Sequence, residues 1–148
     1  NTSLLLFIQE KYHQCVAWNT KIIKGAKYIT RQDIRNGVMI LNLIVIYEID
    51  DLEQFESFYR YTGRYFQKNK SDFKTKFGLK ILMYIRDLHN SPRNRHQEIL
   101  TAMKQFLVNI RRDRDFKIPM GLDELILYWI ASKVEKNSIL DQIQSGKV

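Results

Sequence analysis

Apolar positions recur every three or four residues through most of the chain, which is the spacing of one face of an α-helix. Leu4, Leu5, Leu6, Phe7 and Ile8 read as the last turns of a first helix. A polar break follows at Gln9-Glu10-Lys11. Tyr12, Cys15, Val16, Ile22 and Ile23 then carry a second face, with Trp18 beside it. Gly25 marks a helix stop, because glycine accepts the left-handed backbone common just past a helix end. Thr30-Arg31-Gln32-Asp33 approximates a capping box, and Ile34, Val38, Leu41, Val45 and Ile49 continue the helical spacing after it.

The stretch from Val38 to Tyr47 is rich in β-branched residues, and local preference alone allows a buried strand. The upstream cap, the sustained spacing and the lack of a turn signal favour a helix. Apolar side chains on all its faces predict a central helix buried on most sides.

Asp50-Asp51-Leu52-Glu53 is the next boundary, with Asp50 as cap and Glu53 completing the box. Leu52, Phe55, Phe58, Tyr59, Thr62 and Phe66 form the predicted inner face of a helix reaching about Lys68. Ser71-Asp72 starts another, with Phe73, Phe77, Ile81, Tyr84, Ile85 and Leu88 inward. Ser91-Pro92 predicts a further start, serine as cap and proline at the first helical position. Ile99, Ala102, Met103, Phe106 and Ile110 carry that helix. Arg111 to Pro119 is a charged connection. Leu125, Ile126, Trp129 and Ile130 mark a helix from Leu122 to about Val134, and Ile139, Leu140 and Ile143 a short last one. Phe7, Tyr12 and Cys15 align with Tyr47, Leu52 and Phe55 at a constant offset, a repeated helix–turn–helix unit of the kind that builds solenoids.

Composition agrees with this pattern. Only two prolines and six glycines punctuate 148 residues, which fits long helices better than many short strands. A length of this order fits one domain. The single cysteine, Cys15, excludes an intramolecular disulfide and favours a reducing, cytoplasmic setting. The most apolar run, Val38 to Tyr47, is interrupted by Asn42 and is too short to span a bilayer. The chain opens at Asn1 without a methionine and reads as part of a longer protein or as a processed product. A formal net charge of +8 raises the prospect of acidic or nucleic-acid partners.

Leu5 to Ile23, LLFIQEKYHQCVAWNTKII, resembles the middle of a tetratricopeptide repeat: the end of its first helix, the short turn with Tyr12, and small Cys15 in its second. Arg31 to Phe66, notably ILNLIVIYEIDDLEQFESFYRYTGRYF, is similar to the carboxy-terminal helical-repeat region of uncharacterised bacterial proteins, and LDELILYWIASKV fits the same run. The resemblance implies an all-α domain of antiparallel hairpins stacked as a right-handed superhelix of about seven helices. It implies hairpins near residues 3–24, 30–68 and 72–112, terminal helices over 122–144, and a role in protein–protein contact. Ile22 and Phe55 depart from the pattern, standing where the repeat has a small residue. The family brings no catalytic residues.

Candidate chemistry is sparse. His13, His89 and His96 lack the one-turn histidine pairing of a zinc hydrolase, although His89 and His96 flank the Ser91-Pro92 break and can approach each other. Cys15 is expected in the hairpin interior as a small apolar residue. Asp50-Asp51 and Asp123-Glu124 sit at expected helix starts, where acids stabilise the dipole. No catalytic, cofactor or metal site emerges. The strongest functional candidate is a basic stretch. Arg60, Arg64 and Lys68 are four apart and share a helix face, with Tyr61 and Tyr65 on the adjoining outward face and Lys70, Lys74 and Lys76 at the hairpin tip. Arginine and tyrosine suit an interface, giving contact area and donors for carboxylate or phosphate. An i, i+4 pair between Glu56 and Arg60 is the ordinary alternative use of such a face. Arg111, Arg112, Arg114 and Lys117 form a second basic group, diluted by Asp113 and Asp115. The reading is a non-catalytic scaffold for an acidic protein partner or for its own parent chain. A basic helical nucleic-acid-binding domain is the alternative.

Overall fold

In a computed structural model, every residue from Asn36 to Ile46 is buried, and this run organises the molecule. The structure describes residues 2–25, 32–68, 73–113 and 118–146, without the side chains of 73–75 and 119. The described residues form α-helices and 3-10 turns with no β-strand. In order these are α1 (Thr2–Ile8), α2 (Tyr12–Lys24), α3 (Gln32–Ile49), α4 (Leu52–Gln67), α5 (Phe73–Asn90), α6 (His96–Arg111), α7 (Leu122–Glu135) and α8 (Ile139–Ser145). Short 3-10 turns at Arg93–Arg95 and Pro119–Gly121 precede α6 and α7.

Each helix packs on the next in sequence, and α3 also packs on α5 and on the Pro119–Gly121 turn. Val38 to Tyr47 is therefore helical despite its β-branched content. A helix surrounded by apolar neighbours gains burial on every face, and this outweighs a local propensity of tenths of a kcal/mol per residue. Phe7, Phe55, Phe66, Ile81, Leu107 and Trp129 pack into one core with α3. The ring of Tyr47 meets that of Trp129 edge-on at 6.1 Å, which ties α7 to the end of α3.

Two of the interhelical turns share a backbone feature. Glu10 (φ 58) and Asp50 (φ 64) both stand left-handed between paired helices, at the equivalent place in the α1–α2 and α3–α4 hairpins. A non-glycine residue costs about 1–2 kcal/mol there, a cost offset by the packing of the helices on either side. Lys136 (φ 57) closes α7 in the same conformation.

Several boundaries differ from expectation. Asp50 is the left-handed turn residue and not the cap; Asp51 caps α4, its carboxylate accepting from the Gln54 N–H at 3.0 Å. Leu52, expected inward, is 65% exposed because it follows that cap on the outer side of the turn. Ala102 and Leu140 are also exposed. Gly25 ends α2 with φ −82, so its amide reaches the Lys21 carbonyl without a left-handed step. Ser91-Pro92 does not start α6 directly. Pro92 opens the 3-10 turn with no side-chain cap, and the α-helix begins at His96. The expected caps at Thr30 and at Ser71-Asp72 lie outside the described residues. α8 has a capping box that the pattern reading did not identify, between Ser138 and Asp141. No helix among the described residues is long and apolar enough to cross a membrane.

Candidate functional site

α2 and α4 flank a cleft of about 730 Å³ whose floor is α3. Thr20, Ile23 and Lys24 line one wall, and Ser57, Phe58, Tyr61 and Arg64 the other. Asn42 and Ile46 form the floor. The wall supplied by α4 runs from Asp51 to Arg64, roughly 20 Å at the helical rise of about 1.5 Å per residue. Asp51 and Glu53 lie at the start of that wall and Arg64 at its end, so the cleft is charged oppositely at its two ends.

Beneath the floor is a small polar cluster. Asn19, fully buried, donates its amide N–H to Asn42 Oδ1 at 3.3 Å and approaches Cys15 Sγ at 3.5 Å. Asn42 interrupts the apolar run of α3 because this amide needs an acceptor. Cys15 Sγ lies 3.4 Å from the Ser3 carbonyl oxygen. Burial pushes the Cys15 thiol up to about 11, against a smaller downward pull from the Asn19 hydrogen bond. Cys15 is thus a buried interior residue, as expected, without the accessible thiolate that a nucleophile needs.

Arg60, Arg64 and Lys68 project from α4 into solvent, as expected of one face. Arg64 borders the cleft, and together with Arg60 and Lys68 it also borders a shallow hollow of about 560 Å³ on the adjoining face of the helix. Among the described residues no carboxylate lies within ion-pair distance of any of the three. The expected Glu56–Arg60 pair does not form. Glu56 Oε1 turns instead to His89 Nε2 on α5, at 3.7 Å.

Tyr61 is 39% exposed, whereas Tyr65 is half-buried and held more tightly than an outward residue. Gln32 Nε2 donates to the Tyr65 hydroxyl, and the Arg35 guanidinium lies over the Tyr65 ring at 4.7 Å. Arg35 also reaches the Tyr61 hydroxyl at 3.5 Å. Burial raises the Tyr65 hydroxyl above its ordinary range, with Arg35 opposing. The first turns of α3 therefore fix both tyrosines beside Arg64. Lys76 is exposed on α5, the Lys74 side chain and Lys70 lie outside the described residues, and the hairpin tip they were expected to form is likewise undescribed. Arg111 of the second basic group pairs with Asp123 at 3.2 Å and joins α6 to α7.

A third hollow, of about 660 Å³, opens where α3 and α5 end and α6 begins. His89 and His96 both line it, but they serve other partners. His89 stacks on Phe55 at 3.9 Å, and His96 Nε2 meets the Ser91 carbonyl at 3.0 Å. At its floor Glu48 accepts from Trp129 Nε1 at 3.0 Å and from Lys133 Nζ. No local spacing in the sequence announces this arrangement. Glu48 is an acid at the end of an apolar run, a signal that a buried partner is needed, but nothing local points to partners more than eighty residues away. Among the described residues no group of histidine, cysteine or acidic side chains is arranged to hold a metal ion. No protein-family model, curated protein or solved structure matches the chain.

Proposed function

We propose that the chain is a non-catalytic interaction scaffold that seats an acidic polypeptide segment along the cleft between α2 and α4. The observation that carries this reading is Arg64, which joins the cleft to the cationic ridge of Arg60 and Lys68, none of them neutralised by a described carboxylate. Arginine holds carboxylates through paired N–H donors, so an acidic segment gains both charge neutralisation and orientation there. Asn42 on the floor and the hydroxyl of Tyr61 on the wall add neutral hydrogen-bonding groups. Tyr61 and Tyr65, already fixed by Arg35 and Gln32, lose little further freedom on contact. The tetratricopeptide-like features, paired helices with a left-handed residue at Glu10 and again at Asp50, fit a stacked superhelical scaffold. The acidic segment belongs either to a partner or to the parent chain. The single cysteine, buried as a thiol, fits a cytoplasmic setting.

Fluorescence anisotropy with a labelled peptide of alternating glutamate and leucine tests the reading. The chain binds it, and Arg64→Glu with Lys68→Glu weakens binding by at least about tenfold, equivalent to about 1.4 kcal/mol. Circular dichroism of the double variant stays unchanged, since both residues are exposed. Unaltered affinity in that variant overturns the proposal. So does preferential binding of a labelled single-stranded oligonucleotide with a steep salt dependence, the behaviour of a phosphate-neutralising surface.

A further inference from the structure

The hollow at the far end of α3 is rich in donors and has few free acceptors. Both Glu48 oxygens are occupied, Oε1 by Trp129 Nε1 at 3.0 Å and Oε2 by Lys133 Nζ at 2.6 Å. The Ser91 carbonyl is taken by His96, and His89 by Glu56. Tyr47, Arg93 and Lys136 line the same hollow, and their side-chain donors meet no acceptor among the described residues. These donors come from separate elements: the last turns of α3, the 3-10 turn before α6, and the left-handed residue that ends α7. Asp50, at the lining, is the one exposed acid that opposes them there among the described residues.

We propose that this hollow binds a small phosphate-bearing anion. A phosphate group offers three acceptor oxygens in a tetrahedral array, which suits donors arriving from separate directions. Arg93 supplies a fork that matches two of those oxygens. The Glu48–Lys133 ion pair leaves the floor electrically neutral, so the unpaired cations set the sign of the site. At about 660 Å³ the hollow exceeds free phosphate and falls in the range of small-molecule sites, leaving room for an organic part beside Tyr47 and Leu88. It lies apart from the α2–α4 cleft, with no lining residue in common, so its occupancy is independent of acidic-segment binding.

Nuclear magnetic resonance titration tests this directly, because the two tryptophans are separately placed. The Trp129 indole N–H donates to Glu48 on the floor, whereas Trp18 is 42% exposed on α2. Inorganic phosphate and adenosine 5′-monophosphate are titrated in parallel at fixed ionic strength. The expected result is a saturable shift of the Trp129 indole signal with at least one probe and a stationary Trp18 signal. Saturation by phosphate alone identifies the free ion as sufficient; a requirement for the nucleotide identifies a phosphate ester. Arg93→Glu with Lys136→Glu weakens binding at least about tenfold, and Asp50→Asn strengthens it about threefold. Arg93 and Lys136 are exposed, so the double variant retains its fold, checked by circular dichroism. No saturable Trp129 shift with either probe up to about 20 mM, well above the millimolar range of weak sites, overturns the proposal. Binding that the double variant leaves intact overturns it equally.

Discussion

Two glycines on neighbouring helices give opposite answers to the same substitution. Gly63 in α4 has nothing within 4 Å of an added methyl group. Alanine there gains helix propensity of about 0.8–1 kcal/mol over glycine, so Gly63→Ala stabilises the fold by roughly that amount. Gly78 in α5 faces Phe66 of α4. An added Cβ meets Phe66 Cε2 and Cζ at 3.0 Å and Cδ2 at 3.3 Å, inside the roughly 3.5–4.0 Å at which carbon atoms attract. Phe66 is fully buried and rests against Tyr65 at 5.5 Å between ring centres, so the ring has little room to yield. Overpacking of this kind costs about 1–3 kcal/mol, which exceeds the propensity gain over most of that range. Gly78→Ala is therefore neutral to destabilising by about 2 kcal/mol, and the two variants differ by about 1–3 kcal/mol. Each substitution restricts the unfolded chain similarly, so the difference isolates the contact between α4 and α5. Urea unfolding followed by circular dichroism measures it, and melting temperatures separate by about 2–4 °C per kcal/mol for a chain of this size. Equal stabilisation by both substitutions refutes the close approach of these helices.

The Glu48–Lys133 pair predicts an asymmetry. Lys133→Met leaves the Glu48 side chain, 10% exposed, with Trp129 as its remaining donor and costs about 1–3 kcal/mol. Glu48→Gln keeps an acceptor for Trp129 and frees a lysine that is 37% exposed, so it costs under about 1 kcal/mol; equal costs in urea unfolding contradict the covering of the Glu48 side chain. Cys15 predicts an alkaline limit. Burial holds its folded value above the ordinary thiol value of 9.0, so its contribution is complete below pH 9 and is lost as pH rises towards about 11. Unfolding midpoints at stepped pH fall less steeply over that window in Cys15→Ala, and identical slopes remove Cys15 as the cause.

Elements set by a continuous local pattern were legible in the sequence. The run from Val38 to Ile46 announced a helix buried on all sides because its apolar residues leave no polar face. The face of Arg60, Arg64 and Lys68 was legible for the same reason, since spacing alone fixes a helix face. Boundaries that depend on one residue's backbone were not. Asp50 and Asp51 are chemically identical, and only the geometry of the turn decides that the first goes left-handed and the second caps. The environment of the tyrosines was hidden because Gln32 and Arg35 lie on the preceding helix, across a loop. Glu48, Trp129 and Lys133 belong to a contact between distant segments that no local spacing encodes.

Native-state amide hydrogen exchange across α3 tests the account at its foundation. If α2, α4 and α5 enclose this helix, its amides from Val38 to Ile46 exchange only through global unfolding and are among the slowest in the chain, while those of α1 and α8 exchange by local fraying. Exchange of the α3 amides at the rate of the terminal helices contradicts a buried central helix, and with it the cleft that rests on α3.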